Sequence, residues 1–424
     1  MKRLISCVLA LLYVMAGFAS GTWILHGKEY RVDTLYHAYI GPGTTQTSIK
    51  LAGPVNLRVF YTTTDLKNEN VDVRAIKHKD TLTGLGTVSN AAESHSTSNR
   101  SYFAGINADF FSSSMPCGIT VVDGEVYCSD QASGWSLFGI DANKIPYSGG
   151  GDFYVKLTAP DYSTAELSAM NLERETNGLV LYSSRKGANT GTDGNGSEVV
   201  LIPDGEGNFL TPGATVRMRV QGNPNHAGSM PILDNGYILS GSGTKESFVS
   251  NLSEGDVVEV RCAIRFNGFT GGKIQQALGG CPMLVSGGKV LDTENALDHL
   301  TSAQPRTAVG YNAEKNKLVM LVADGRSSIS VGPISKVLAD IMIYAGCSEA
   351  MNFDGGGSST FYVKGEGVIN QPSDGSERSV TDGLYLSTDA PQNDVTITTI
   401  RFMDYAKTLN QGDAYTPVIY GIGR

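Results

Sequence analysis

Two strands, Arg306–Asn312 and Lys317–Val322, meet across the turn Ala313-Glu314-Lys315-Asn316 and decide how the rest of the chain is read. Counting outward from that turn places Arg306 opposite Ala323 and Asp324, at one end of a hairpin. Gly332-Pro333 then opens a helix, with proline at a position that needs no N–H. Ile334, Val337, Leu338, Ile341, Met342 and Ala345 recur at three- and four-residue spacing, so one face of it is buried. Gly346 ends it. The strand Ala350-Met351-Asn352-Phe353 follows, then Asp354-Gly355-Gly356-Gly357-Ser358-Ser359, then a further strand, Thr360–Val363. Strand, helix, strand predicts a parallel crossover whose strands end on one edge, the edge where ligands bind. That rim is expected to collect Arg306, Asp324, Arg326, Asn352, Asp354 and the glycine-serine loop.

The chemistry of such a rim is that of a phosphorylated ligand. Gly355, Gly356 and Gly357 let successive backbone N–H groups form an anion nest, and Ser358 and Ser359 add hydroxyl donors. Arg306 and Arg326 match phosphate oxygens with a planar fork. Asp324 and Asp354 supply a base, a nucleophile or a charge to stabilise a reacting carbon. The same glycines can also be a plain tight turn, and it is the convergence on one rim that favours a site.

Outward from this stretch the chain is rich in strands and turns. Glycine takes 51 of 424 positions and charged residues only 18 %, below the roughly 25 % of ordinary domains, which favours strands and turns over long helices. The expected fold is α+β: a β-rich mixed sheet with a few helices, its site on the hairpin–helix–strand unit. Leu57–Tyr61 and Val71–Ile76 read as strands, Gly41-Pro42-Gly43-Thr44-Thr45 as a loop, and Tyr102–Phe111 as an apolar strand bearing Asn107 and Asp109 near its end. Residues 140–260 contain many short strands without a fixed repeat, and Asn235-Gly236 marks a turn before Tyr237. The net charge of −9 argues against nucleic acid or an anionic membrane surface as partner.

Lys2 and Arg3 precede the apolar run Leu4–Phe18, and Gly17 and Ala19 stand where a signal peptidase reads. At ~1.5 Å per residue that run is too short to span a bilayer, so residues 1–20 are expected to be a signal peptide on an exported chain that is periplasmic, cell-surface or secreted. Cys117, Cys128, Cys262, Cys281 and Cys347 remain after cleavage. A Cys117–Cys128 disulfide across an Asp123-Gly124 hairpin and five buried thiols are both open. No Cys-x-x-Cys pair, zinc motif, serine elbow or phosphate loop occurs. No cofactor or metal is expected, with a structural calcium ion left open. The six histidines are scattered, His299 lying nearest the rim, and Trp135 is a candidate to stack on a sugar ring.

Asn352-Phe353-Asp354-Gly355-Gly356-Gly357-Ser358-Ser359-Thr360 resembles the signature of the phosphodiester glycosidase family. Pro305-Arg306-Thr307-Ala308-Val309-Gly310, Ala323-Asp324-Gly325-Arg326, Asn107-Ala108-Asp109-Phe110-Phe111, and Glu377-Arg378 with Asp382-Gly383-Leu384 resemble its other blocks. Where the family block has two glycines, this chain has Ala108 and Asp109, and the acid adds charge beside sugar or phosphate. The resemblance implies a catalytic domain over 102–386 and an associated β-rich region over 21–101; past the polar break Pro391-Gln392-Asn393-Asp394, residues 393–424 read as a short β appendage or the start of a truncated immunoglobulin-like module.

It implies hydrolysis of the glycosidic bond of a sugar 1-phosphodiester, for example an α-N-acetylglucosaminyl phosphodiester or a phosphoglycan, releasing the sugar and leaving a phosphomonoester. Asn107, Arg306, Asp324, Asn352, Asp354 and the glycine-serine loop then belong to the site, with Asp354, Asp324 and Asp109 as catalytic candidates. Phosphate leaves more readily than a sugar alkoxide, so one carboxylate of the usual glycosidase pair is less needed. The alternative is a non-catalytic, secreted carbohydrate-binding or cell-surface protein, which retains its ligand unchanged.

Overall fold

The computed structural model describes residues 21–130, 135–205, 209–266, 269, 271–292 and 301–389, and the backbone of 397–402, 416 and 419–423. Residues 1–20, and His299 with its neighbours, lie outside the described residues. The elements that position the site are β1 (Asn56–Asp65), β2 (Asp72–Lys77), β3 (Ser101–Asn107), β4 (Thr215–Asn225), β5 (Val257–Phe266), β6 (Arg306–Tyr311), β7 (Lys317–Ala323), α1 (Ser335–Tyr344), β8 (Glu349–Phe353), β9 (Phe361–Val363) and β10 (Asp382–Thr388).

A nine-stranded sheet runs β1-β7-β6-β8 through its middle, with Gly21–Ala52 adding strands beyond β1 and Met283–Val290 beyond β8. β6 pairs antiparallel with both β7 and β8, so β7 and β8 are parallel with β6 between them. The register sets Arg306 opposite Ala323, as the hairpin count requires. α1 connects β7 to β8. It begins at Ser335 rather than Pro333, because Ile334 is still extended as the N-cap, and Gly346 at φ +101 follows its C-cap. Val337, Leu338, Ile341 and Met342 bury against Ala308, Leu321 and Ala350 on one face of the sheet.

The opposite face carries Val309, Met320, Val322, Met351 and Phe353. These pack on Val73, Ala75, Ile106, Leu384 and Leu386 from a five-stranded sheet ordered β9-β3-β10-β2 beyond a short outer strand. The result is helix on sheet on sheet, the middle sheet buried on both faces. Strands from 21–101 therefore share sheets with strands from 306–388: β1 pairs β7, and β2 pairs β10.

Residues 151–266 supply an eight-stranded sheet with its own core, in which Leu239, Val258, Val260 and Met218 are fully buried. β4 and β5 there alternate buried and exposed positions. Another five-stranded sheet, containing Thr120–Val122, Ser136–Asp141 and Ile274–Gly280, draws its strands from both sides of that segment in sequence. At the C-terminal end, Ile397–Phe402 and Ile419–Gly423 pair as an antiparallel two-stranded ribbon. Cys117, Cys128, Cys262, Cys281 and Cys347 are all free thiols, Cys117 alone being partly exposed.

Candidate active site

Asn107 closes β3 and holds the ends of three elements together. Its Nδ2 donates to the Asp354 carbonyl at 2.7 Å, and its Oδ1 accepts from Thr307 Oγ1 at 2.8 Å and from the Thr360 N–H at 3.1 Å. Both ends of the amide are thereby spent on protein. The Asp354 N–H in turn donates to the Ala108 carbonyl. These bonds bring the Asn107–Phe111 block against the glycine-serine loop.

Asp109 is 1 % exposed. Its Oδ2 accepts from the Gly118 N–H at 2.8 Å, while its Oδ1 is buried with no hydrogen-bond partner. Its own N–H donates to Asp382 Oδ1 at 2.9 Å, and Asp382 Oδ2 accepts from Thr381 Oγ1 at 3.0 Å. Asp382 lies directly across from Lys77 in the β10–β2 register. Lys77, also buried, donates to the carbonyls of Gly84 and Thr381. Burial raises Asp109 well above the usual carboxylate range, and the charges of Asp382 and Asp354 push the same way. Burial also raises Asp382, against the pull of Lys77. A Cβ on Gly279 would stand 2.6 Å from Asp109 Oδ2, so that close approach admits only glycine.

Asp354 is partly exposed at the end of β8. Burial pushes its carboxyl up to about 6, opposed by the Ser358 hydroxyl, the Arg378 guanidinium and the Gly355 N–H. Arg378 donates to Asp374 Oδ2 at 2.6 Å and to Ser358 Oγ at 3.3 Å, placing a cation beside Asp354. Gly356 has φ +60, and its Cα faces the Arg326 guanidinium. Phe110 meets Trp135 edge to face at 4.9 Å.

The rim expected from the sequence is a shared edge, but its side chains divide between the faces of the sheet. Alternation along β6 puts Arg306 on the α1 face with Ala308 and Thr307 on the inner face with Val309. Arg306, 2 % exposed, donates to the carbonyls of Ser302 at 2.7 Å and Pro333 at 3.4 Å. Burial and the neighbouring Arg326 lower it to about 10. Asn352 also sits on the α1 face, its amide donating to the Cys281 and Phe353 carbonyls.

Asp324 turns inward and accepts from the Gln371 N–H at 2.9 Å and from Asn370 Nδ2 at 3.3 Å. Burial pushes it up to about 6. Arg326 is exposed and donates to Gln304 Oε1 at 2.6 Å. The loop amides do not form one outward nest. Gly356, Ser358 and Ser359 N–H groups close a tight turn onto Pro305, Gly355 and Gly356 carbonyls, and the Ser359 hydroxyl meets the Thr307 hydroxyl at 3.2 Å.

The structure thus brings Asp109, Asp354 and Ser358 together with three residues absent from the sequence-derived site: Lys77, Asp382 and Arg378. Asp382 and Arg378 belong to the closing blocks already quoted. Lys77, a lysine ending an apolar strand, was the available signal on β2. Among the described residues no group of three or more His, Cys, Asp or Glu is placed to hold a metal ion. No helix there is long and apolar enough to cross a membrane.

Comparison with known proteins follows these blocks. The SPbeta prophage-derived protein YomE of Bacillus subtilis (strain 168) is 40 % identical over 88 residues, which is 21 % of this chain and 13 % of that one. A Synechocystis structure superposes with TM-score 0.62 at 15 % identity, covering 82 % of this chain and 62 % of that one. A Burkholderia pseudomallei K96243 structure, of a protein described as exported, superposes with TM-score 0.61 at 17 % identity, covering 87 % and 98 %. At these identities the two structures speak to the fold alone. The zebrafish N-acetylglucosamine-1-phosphodiester alpha-N-acetylglucosaminidase catalytic domain covers 88 % of this chain and 89 % of its own at 12 % identity. Its TM-score of 0.43 carries no argument. The model of the phosphodiester glycosidase family matches residues 212–387, a span that includes Arg306, Asp324, Asp354, Arg378 and Asp382, and so the resemblance to that family holds over this part of the chain.

Proposed function

We propose that this chain is an exported hydrolase that cleaves the glycosidic bond of a sugar 1-phosphodiester, releasing the sugar and leaving a phosphomonoester. One observation carries the reading. The buried carboxyls of Asp109 and Asp382 and the partly exposed carboxyl of Asp354 gather where β3 and β8 end and β10 begins, with Arg378 beside Asp354. The family match over 212–387 supports the reaction class.

In this reading Asp354 faces the reacting carbon as base or nucleophile, since it alone of the three is partly exposed and its neighbours favour the charged form. Arg378 and the exposed Arg326 hold phosphate oxygens by charge-assisted bonds. Asp324, Asn107, Asn352, Arg306 and Ser359 position the loops that carry these groups. The Phe110–Trp135 pair offers an aromatic surface to the sugar.

The test compares α-N-acetylglucosaminyl phosphodiester with an α-N-acetylglucosaminide of an ordinary alcohol at equal concentration, following released sugar, with α-glucosyl phosphodiester in parallel. Far faster release from a phosphodiester is expected. Equal rates from ester and alcohol would make this an ordinary glycosidase site. Retention of the ligand without release would leave a carbohydrate-binding protein. Export is checked by the N-terminus of the mature chain, expected near residue 21.

A further inference from the structure

We propose that a pocket at one end of the eight-stranded sheet binds a neutral saccharide, as a site separate from the carboxyls of Asp109, Asp354 and Asp382. The inference stands apart from the hydrolase reading, because no residue around this pocket has a part in that reading.

The strands Leu179–Ser183, Ser197–Pro203 and Tyr237–Gly241 lie side by side, with Tyr237–Gly241 in the middle. The register puts Tyr237 opposite Ser183 on one side and Leu201 on the other, so the three strands share an end there. The turn into Tyr237 is Leu233-Asp234-Asn235-Gly236, closed by the Gly236 N–H on the Leu233 carbonyl at 3.1 Å. A Cβ on Gly236 would stand 2.8 Å from Ile202 Cδ1, so glycine lets the turn settle on the neighbouring strand. The turn, the end of Ser197–Pro203 and Glu125 enclose a cavity of about 440 Å³. That volume falls within the ~300–1,000 Å³ of small-ligand sites.

The lining is divided as a sugar is, into an apolar part and a polar part. Phe209, 48 % exposed, lines the cavity with Ile202 and Pro203. A phenyl face carries negative charge density, which attracts the weakly positive C–H bonds on one face of a pyranose. The Tyr237 hydroxyl accepts from the Leu210 N–H at 3.0 Å and so anchors the chain beside Phe209. Ser184, Asp234 and Asn235 supply the polar part. Among the described residues their side chains enter no hydrogen bond or ion pair, which leaves a hydroxyl, a carboxyl and an amide to meet sugar hydroxyls.

Charge sets the class of sugar. The Glu125 side chain is 12 % exposed, and its Oε2 accepts from Arg185 Nη2 at 2.7 Å. That guanidinium is fully engaged: Nη1 donates to the Asp80 carbonyl at 3.2 Å, and its carbon lies 4.9 Å from the centre of the Tyr127 ring. Among the described residues no lysine or arginine lines the cavity, while Asp234 adds a second acid. A phosphate or a uronate would meet acids with no cation to spare. The pocket therefore suits a neutral hexose or N-acetylhexosamine, and it is not a second phosphate site.

Isothermal titration calorimetry of the full chain tests this with chitotriose, maltotriose and mannotriose, none of which has a phosphodiester to cleave. At least one should bind at millimolar concentration. Phe209→Ala should weaken that binding about tenfold or more, as truncation of an aromatic anchor does. Asn235→Ala should weaken it to a smaller extent. Both side chains are exposed, so both variants should melt with the wild type. Arg378→Ala should leave the trisaccharide affinity unchanged. Trigalacturonate, an anionic trisaccharide, should bind more weakly, and so should adenosine, which stacks but carries fewer hydroxyls. The proposal is overturned if none of the three neutral trisaccharides binds, or if Phe209→Ala binds as the wild type does. It is also overturned if Arg378→Ala abolishes the binding, or if trigalacturonate or adenosine binds more tightly. If wild-type protein releases no sugar from any phosphodiester, the hydrolase reading falls, while the titrations still decide the pocket.

Discussion

The strands of the eight-stranded sheet and those of the central sheet bury their side chains in different ways. β4 and β5 alternate buried and exposed positions along most of their length, the pattern of a sheet with one wet face. β6, β7 and β8 are buried at nearly every position, because α1 covers one face of the central sheet and the sheet that contains β3 covers the other. Charge in the first region sits on the surface, where solvent screens it. Charge in the second can sit only at strand ends, inside protein, where burial shifts proton affinity. Burial between these layers thus raises the proton affinity of Asp109, Asp354 and Asp382.

The largest expected effect breaks the chemistry and not the fold. Asp354→Asn should lower kcat/KM about 10²–10³-fold, the loss typical of one preorganised electrostatic partner. The same variant carries a pH signature. A carboxyl raised to about 6 from an ordinary ~3.9 binds its proton more tightly when folded. Its contribution to stability is full below about pH 4 and is lost as pH rises through 6. Asparagine cannot ionise, so Asp354→Asn should be more stable than wild type by about 1–2 kcal/mol at pH 7.5, after discounting for its partial exposure, and equal to it near pH 4. Denaturant titrations at the two pH values check this, and a variant less stable at pH 7.5 would contradict the burial of charge at Asp354.

Next is the reverse case, a change that costs stability without touching the chemistry. Leu239 is fully buried in the core of the eight-stranded sheet. Leu239→Ala should cost about 2–5 kcal/mol, the usual range for such a truncation. Below its melting temperature the variant should turn over at the wild-type kcat. A fall in kcat in folded Leu239→Ala would mean that the two regions are coupled.

Gly356 sits between these extremes. At φ +60 an alanine is strained by about 1–2 kcal/mol, and its Cβ would lie 3.0 Å from Arg326 Nη2. Gly356→Ala should therefore lose that much stability in a denaturant titration and raise KM for the phosphodiester, since Arg326 must give way.

Local and periodic features of this molecule were legible in the sequence. The Arg306–Ala323 register follows from counting out of a four-residue turn, and the α1 stripe follows from its spacing. The strand ends that carry Asp324 and Asp354 follow from the same unit. The face each side chain takes was not legible, because a shared edge does not specify which side of a sheet a residue points to. Arg306 and Asp324 lie at one edge and on opposite faces for this reason. Nor was the Lys77–Asp382 pairing legible, since it joins strands from opposite ends of the chain and no local pattern announces it. The glycine run showed that the loop is tight, but not that its amides close on its own carbonyls and on Pro305.

The smallest expected effect on stability compares one exposed ion pair from each region. Arg219–Asp204, at 3.4 Å, lies on the surface of the eight-stranded sheet, and Arg378–Asp374, at 2.6 Å, lies beside the glycine-serine loop. Both arginine side chains are more than a third exposed, so either pair is worth about 0–1 kcal/mol to the fold. Arg219→Ala and Arg378→Ala should both melt within the same narrow range of the wild type. They should differ in kinetics. Arg219→Ala leaves kcat and KM unchanged, because nothing ties that arginine to the three carboxyls. Arg378→Ala removes the cation beside Asp354 and the donor to Ser358, so KM for the phosphodiester should rise about tenfold, the equivalent of ~1.4 kcal/mol. Two further consequences separate phosphate binding from mere loop support. Arg378→Lys should recover only part of the loss, since an ammonium replaces the charge but not the fork. KM for an alcohol glycoside, which has no phosphate to bind, should hardly change in Arg378→Ala. An equal rise in KM for both substrates would make Arg378 a loop anchor like Arg306.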